Sequence, residues 1–316
     1  MKKIGFITCA ADILKRYFPT PSEPDFIQTD PLFTPDDQLA VNVLRQQGYE
    51  IDPVIWGAPI SSLQDFDLVI VRSPWDYMHN KNNFMQWIMQ VEQAGICVSN
   101  PAKFMRWLLD KHYLRHLQEM GVSVIPTKYY KKGAQINLSQ LFTEQGEFIL
   151  KPCISAAGIG LFHISSALEA IRLNHEVNEQ LKHNDYMLQE FIPEITTHGE
   201  WSLIFLDNKY SHAVHKKPGP NSILVHAERG GSLSFTQQPS QEMIAFACAT
   251  YEKVLPAFKY ATHESLDPHL ITYLRLDIIE TKSHYVLVEC EGVEPELFLR
   301  ATPDAVTKFC EAIRHL

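Results

Sequence analysis

The first hundred residues alternate short apolar runs with amphipathic stretches, and this rhythm restricts the fold more than any other feature of the chain. Residues 3–9, 51–56, 66–71 and 96–99 have the pattern of buried strands, and residues 82–94 that of a helix closed by Gly95. Thr34-Pro35-Asp36-Asp37 opens another helix. Thr34 is suited to cap it, Pro35 to its first turn, and the two acids to its positive end. Leu39, Val43 and Leu44 give that helix an apolar face, and Gly48 ends it. Repeated β-α units call for a mostly parallel sheet with helices on its faces. Ligands of such sheets meet the carboxyl ends of the strands. Arg72-Ser73-Pro74-Trp75-Asp76-Tyr77, directly after a buried strand, falls at one of these ends.

Pro101 opens a different pattern. Helical segments are expected over residues 102–120, with Gly121 as terminator, then a short strand over 122–127. A small α+β unit follows, with strands at 147–151, 161–164 and 186–191 and a helix begun by Ser165 or Ser166. From Trp201 the chain is mainly strands, with helices over 241–255 and 303–315. The expected organisation is α/β with α+β parts: an N-terminal α/β domain (1–100), a central lid (101–190), and a mainly antiparallel C-terminal domain flanked by helices (191–316). Pro218-Gly219-Pro220-Asn221 marks a loop expected to be mobile.

Composition excludes some classes of function. A net charge of −9 argues against nucleic acid or an anionic membrane as partner. It also means that any nucleotide site has to be locally basic or metal-loaded. Six scattered cysteines without a C-x-x-C pair read as reduced thiols of a cytoplasmic protein. Lys2 and Lys3 before an apolar run resemble the start of a signal peptide, but Asp12 and Lys15 interrupt the run, and a first buried strand is the preferred reading. No stretch approaches transmembrane length.

The chemistry is most legible near the C-terminus. Residues 276–279 and 286–291 read as paired strands, and period-two alternation puts Asp277, Glu289 and Glu291 on one face of the ribbon. Gathering three carboxylates is costly unless cations lie between them. Oxygen ligands at a cleft suit Mg²⁺, which completes its octahedron with substrate phosphates.

Other residues take their meaning from this one. Lys151 ends a strand and precedes Pro152-Cys153-Ile154-Ser155-Ala156-Ala157-Gly158-Ile159-Gly160. Small residues there let backbone N–H groups approach phosphate oxygens, although a tight hairpin turn reads equally well. Lys111, set in a helical pattern, reads alone as a snorkelling lysine, and Lys216-Lys217 as a solvated strand edge. Gln189-Glu190-Phe191-Ile192 leaves the small unit as a strand with free backbone groups for an adenine edge, and Glu200 is placed to accept from ribose hydroxyls. His212 and His215 fall on opposite strand faces, so a metal shared between them and His226 is not expected.

The order Lys111, Lys151 with its loop, Gln189 to Ile192, Glu200, Lys216, Asp277 and Glu289-x-Glu291 resembles the ATP-grasp superfamily over about residues 100–300. Arg72 to Tyr77, Arg106-Trp107-Leu108-Leu109-Asp110-Lys111, the segment 211–218 and Glu291-Gly292-Val293-Glu294-Pro295-Glu296-Leu297-Phe298 resemble its glutathione-synthetase-like branch, and within that branch the cyclo-ligases of the cycloserine pathway. The resemblance implies the following roles. Lys111 and Lys151 hold ATP phosphates under a flexible loop containing Ser155, Ala156 and Gly158. Gln189, Glu190, Phe191 and Ile192 contact adenine, and Glu200 binds ribose. Lys216 contacts the terminal phosphates, and Arg275 steadies the acyl-phosphate reaction. Asp277, Glu289 and Glu291 bind two Mg²⁺ ions, with Mn²⁺ as a substitute. Arg72, Trp75, Asp76 and Arg300 lie near the acceptor substrate. The family motif commonly ends Glu-x-Asn, whereas Glu291 stands at the last position here.

The implied activity is ATP-dependent ligation of a small-molecule carboxylate to an amine through an acyl phosphate, with a homodimer as the default assembly. An ATP-binding sensor or scaffold and a small-molecule kinase are the alternatives.

Overall fold

The computed structural model describes residues 2–17, 30–220 and 222–315. Asn221 of the expected mobile loop lies outside them. Three sheets follow one another along the chain. The first contains β1 (Lys3–Thr8), β2 (Glu50–Ile55), β3 (Leu68–Ser73) and β4 (Val98–Ser99) in the order β2-β1-β3-β4, all parallel. The second contains β5 (Thr127–Tyr130), β6 (Phe148–Pro152), β7 (Phe162–Ile164) and β8 (Tyr186–Glu190), antiparallel in the order β5-β8-β6-β7. The third contains β9 (Glu200–Leu206), β10 (Lys209–Lys217), β11 (Ser232–Ser234), β12 (Tyr273–Glu280) and β13 (Tyr285–Glu291), antiparallel in the order β11-β10-β9-β12-β13.

The start of helix Pro35–Gln46 is as the sequence predicts. Thr34 Oγ1 accepts from the Asp37 N–H at 3.1 Å and Pro35 occupies the first turn. Ala40, Val41 and Leu44 of this helix share a core with Phe309 and Ile313 of helix Pro303–Arg314 and with Ile204 and Tyr273 of the third sheet. A second core joins Trp87 and Ile88 of helix Lys81–Gln93 to Phe104, Leu108 and Leu274. The first and third sheets are therefore bound together by buried apolar side chains, each worth roughly 1.5–3 kcal/mol. The second sheet has its own smaller core, where Leu138, Leu141, Val177 and Leu181 from two helices cover Phe148, Leu150 and Leu188.

Three local expectations are corrected. The helical segment 102–120 is two helices, Ala102–Leu109 and Tyr113–Glu119, because Asp110 turns extended and its carboxylate caps the His112 N–H at 3.1 Å. Residues 122–126 make only a single bridge, Val124 to Leu287, and the strand starts at Thr127, since Pro126 has no N–H for a ladder. Helix Gln241–Thr262 continues past Leu255 with Pro256 inside it, held by the burial of Val254, Ala257 and Phe258.

Candidate active site

The site is built on the β12–β13 ribbon. Arg275 and Asp277 point to one face, as do Glu289 and Glu291, and the register sets Asp277 opposite Glu289 and Arg275 opposite Glu291. A carboxylate oxygen from each of Asp277, Glu289 and Glu291 lies within 4.8 Å of the other two. That spacing suits oxygen ligands around a hard cation.

The protein's own cations surround the trio. Arg275 forks onto Asp277 with two 3.0 Å hydrogen bonds and reaches Glu291 at 2.6 Å. Lys216 lies between Glu200 and Asp277, pairing with the first and 3.3 Å from the second. Lys111 is 2.7 Å from Glu289, and Ser202 of β9 donates to Asp277 at 2.6 Å. Burial alone would raise Asp277, but Arg275 and Lys216 overcome it and hold the carboxyl well below its usual range. Burial likewise works against Glu289, and Lys111 and Lys151 bring it down. Glu291 goes the other way: burial, with Asp277 and Glu289 nearby, pushes it up to about 8 in spite of Arg275. Of the three, Glu291 is therefore the carboxyl that most readily holds a proton.

Lys151 is the exception among the lysines. It is buried at the end of β6, burial lowers its pKa, and among the described residues it has no ion-pair partner. It faces a cavity between the second and third sheets that is also lined by Lys111, Glu200, Glu289 and Glu291. A buried ammonium without a carboxylate partner has a standing demand for an anion. The other end of the cavity is apolar: Ile125, Ile149, Ile192, Ile279 and Val288 form a slot beside the exposed edge residue Glu190. Ser155, Ala156 and Gly158 roof it from the loop after β6. Gly160, at φ +75°, closes that loop where a Cβ would stand 2.8 Å from the Pro152 ring.

Of the residues singled out by the sequence, Lys111, Lys151, Ser155, Ala156, Gly158, Gln189, Glu190, Phe191, Ile192, Glu200, Glu289 and Glu291 line this cavity. Gln189 also ties β8 to β5 through Thr127 at 2.9 Å. Lys216 is no solvated edge, because β11 covers β10 and the side chain is buried; Lys217 beside it is exposed. Lys111 neither snorkels nor lies in a helix: it sits in the break between two helices, where its N–H donates to Cys153 O at 2.8 Å.

A second cavity shares Ala156, Ala157, His226 and Glu291 with the first, and Trp75, Arg275 and Arg300 line it. Arg72 and Asp76 are not among its lining residues. Arg72 pairs with buried Asp37 at 2.8 Å and stacks on Tyr273 and Phe309. Asp76 accepts from the Trp56 indole at 2.5 Å. Sequence reasoning did not single out Ser202, which is found only once the register puts it opposite Asp277. It also gave no role to Glu294 and Glu296, or to His226, which lines both cavities with its Nδ1 buried and unpartnered.

Residues 6–100 match the family model of the D-cycloserine synthetase DcsG N-terminal domain, and residues 118–250 that of the prokaryotic glutathione synthetase ATP-grasp domain. The chain belongs to the ATP-grasp superfamily. Within this superfamily it is 26% identical over 256 residues to the cycloserine biosynthesis protein DcsG of Streptomyces lavendulae, covering 78% of this chain and 82% of that one. It is 23% identical to the glutathione synthetase of Parasynechococcus marenigrum, over 67% of this chain and 63% of that one. The crystal structure of D-cycloserine synthetase DcsG superposes with a TM-score of 0.79 at 22% identity, covering 99% of this chain and all of that one. D-alanine–D-alanine ligase from Bacillus anthracis complexed with ATP gives 0.63 at 14% identity, over 100% of this chain and 96% of that one. ATP-grasp proteins of this branch bind ATP with a divalent metal and are ligases that form C–N bonds. No helix among the described residues is long and apolar enough to cross a membrane.

Proposed function

We propose that this chain is a cytoplasmic ATP- and Mg²⁺-dependent ligase that activates a small amino-acid-like carboxylate and joins it to an amine or related nucleophile. The convergence of Asp277, Glu289 and Glu291 within 4.8 Å, beside a buried lysine lacking a counter-ion, carries this reading. Those three carboxylates are assigned to two divalent ions, with Glu291 in place of the usual Asn adding negative charge. The ions would neutralise phosphate charge and hold the triphosphate in line for transfer.

The protein supplies the rest. Lys151 and Lys111 are assigned to the phosphates, Lys216 to the terminal phosphate, and Glu200 to ribose. The end of β8 and the residues after it, Gln189 to Ile192, with the apolar slot, are assigned to adenine. A carboxylate is a poor electrophile because oxide cannot leave. Phosphorylation makes phosphate the leaving group, and the nucleophile then attacks through a tetrahedral oxyanion. Arg275, forked and permanently charged, is assigned to that oxyanion. Units 1–100, 101–190 and 191–316 are taken as base, lid and metal-bearing floor. Closure of the lid would keep water from the acyl phosphate.

An ADP-release screen over amino acids, small peptides and ureido compounds, followed by product masses, tests the reading. Amide formation with stoichiometric ADP is expected. ADP with a phosphorylated end product would replace the ligase by a kinase, and nucleotide binding without turnover would leave a sensor.

A further inference from the structure

Outside the two cavities, one cluster of metal-ligating side chains has no part in the ligase reading. A donor atom from each of Asp110, His112 and Cys153 lies within 4.8 Å of the other two. Asp110 and His112 flank Lys111 in the break between two helices, and Cys153 follows β6, two residues after Lys151. All three are held in place. Asp110 accepts the His112 N–H, and its Oδ1 lies 2.6 Å from His112 Nδ1. The imidazole stacks on Tyr129 with ring centroids 4.4 Å apart. Cys153 donates its N–H to Asp185 O at 2.9 Å, and its carbonyl accepts from the Lys111 N–H at 2.8 Å. A carboxylate at Nδ1 takes that ring proton and leaves the lone pair on Nε2, the arrangement usual for metal-binding histidines. Nε2 is buried and has no hydrogen-bond partner among the described residues.

Sulfur and imidazole donors suit Zn²⁺ or Co²⁺ and not Mg²⁺, which prefers an all-oxygen shell such as Asp277, Glu289 and Glu291 offer. Donors on one tetrahedral zinc stand roughly 3.3–3.6 Å apart, so these have to draw in by about 1 Å. Asp110, with a side chain 43% exposed, opens the cluster to an arriving ion and to a water as further ligand. Burial pushes the Cys153 thiol up to about 12, which makes it unreactive toward oxidants, whereas a coordinating ion displaces the thiol proton to solvent. We infer that Asp110, His112 and Cys153 form a thiophilic cation site of the Zn²⁺ class, separate from the carboxylate trio. A bound ion ties the helix break that carries Lys111 to the strand end that carries Lys151, the two lysines assigned to phosphate.

Titration of Co²⁺ alone into the reduced, metal-stripped full chain, read by absorption, tests this. The ion should give a thiolate-to-cobalt charge-transfer band, which Zn²⁺ displaces and excess Mg²⁺ does not. Cys153→Ser should lose the band, and Asp277→Asn should keep it. If Cys153→Ser does not fold, Asp110→Asn, which retains an oxygen to cap the His112 N–H, should weaken Co²⁺ binding at least about tenfold. No charge-transfer band in wild type, displacement by Mg²⁺, an undiminished band in Cys153→Ser or unchanged affinity in Asp110→Asn would overturn the proposal. Loss of the band in folded Asp277→Asn would overturn it as well. No nucleotide enters the titration, so its outcome is independent of whether the chain is a ligase.

Discussion

Arg72 and Lys151 are both buried cations, and their surroundings give them opposite consequences. Arg72 is neutralised by Asp37 and clasped between Tyr273 and Phe309, so its charge is spent on holding the first sheet to the third. Arg72→Ala leaves Asp37 buried and uncompensated. A loss of about 3–5 kcal/mol of stability is expected by urea unfolding, and an unchanged midpoint would contradict this pinning role. From sequence alone Arg72 looked like a substrate contact, because a strand end predicts position in the chain and not which way a side chain finds its partner. Lys151 took its assignment to phosphate only from the order of residues around it, and its lack of an ion-pair partner among the described residues emerges only in three dimensions. Glu291 gives the site a pH signature. With its carboxyl pushed up to about 8, a proton has to leave when a cation binds. Mg²⁺ affinity without nucleotide should therefore fall as pH is lowered below about 8, approaching about tenfold per unit for one displaced proton. Titrations at several pH values check this, and a flat profile would remove Glu291 from the ligand set.

At the scale of elements, the site depends on β9, β10, β12 and β13 keeping their register. Gly199, at φ +78° just before β9, lies so close to β10 that a Cβ would meet Lys216 O at 2.2 Å. Gly199→Ala should push β10 away where Lys216 enters the site. The expected result is a stability loss of about 1–3 kcal/mol from the strained backbone and, beyond it, weaker nucleotide binding by calorimetry. Wild-type affinity in a folded variant would show that the Lys216 position is not set by this contact. The β-α alternation and the carboxylate ribbon were legible because periods of two and 3.6 are local properties. The break at Asp110 was not, since Leu108, Tyr113 and Leu114 continue a helical pattern across it and the cap that interrupts them is one side chain. Nor was the passage of a helix through Pro256, where tertiary burial outweighs a local penalty.

The whole molecule sets the third sheet, joined to the first through shared cores, against a second sheet with a core of its own. Lys151 comes from the second sheet and Asp277, Glu289 and Glu291 from the third, so under the proposed function the bridging ligand carries negative charge toward one and metal toward the other. Magnesium triphosphate meets both demands. The most direct test is a calorimetric titration of ATP into wild type, Asp277→Asn and Glu289→Gln, each with Mg²⁺ and with the metal chelated. Tight binding is expected only for wild type with Mg²⁺, weakened on the order of 100-fold by chelation or by either substitution while the fold is retained. Equal ATP affinity with and without metal, or in all three proteins, would contradict the account.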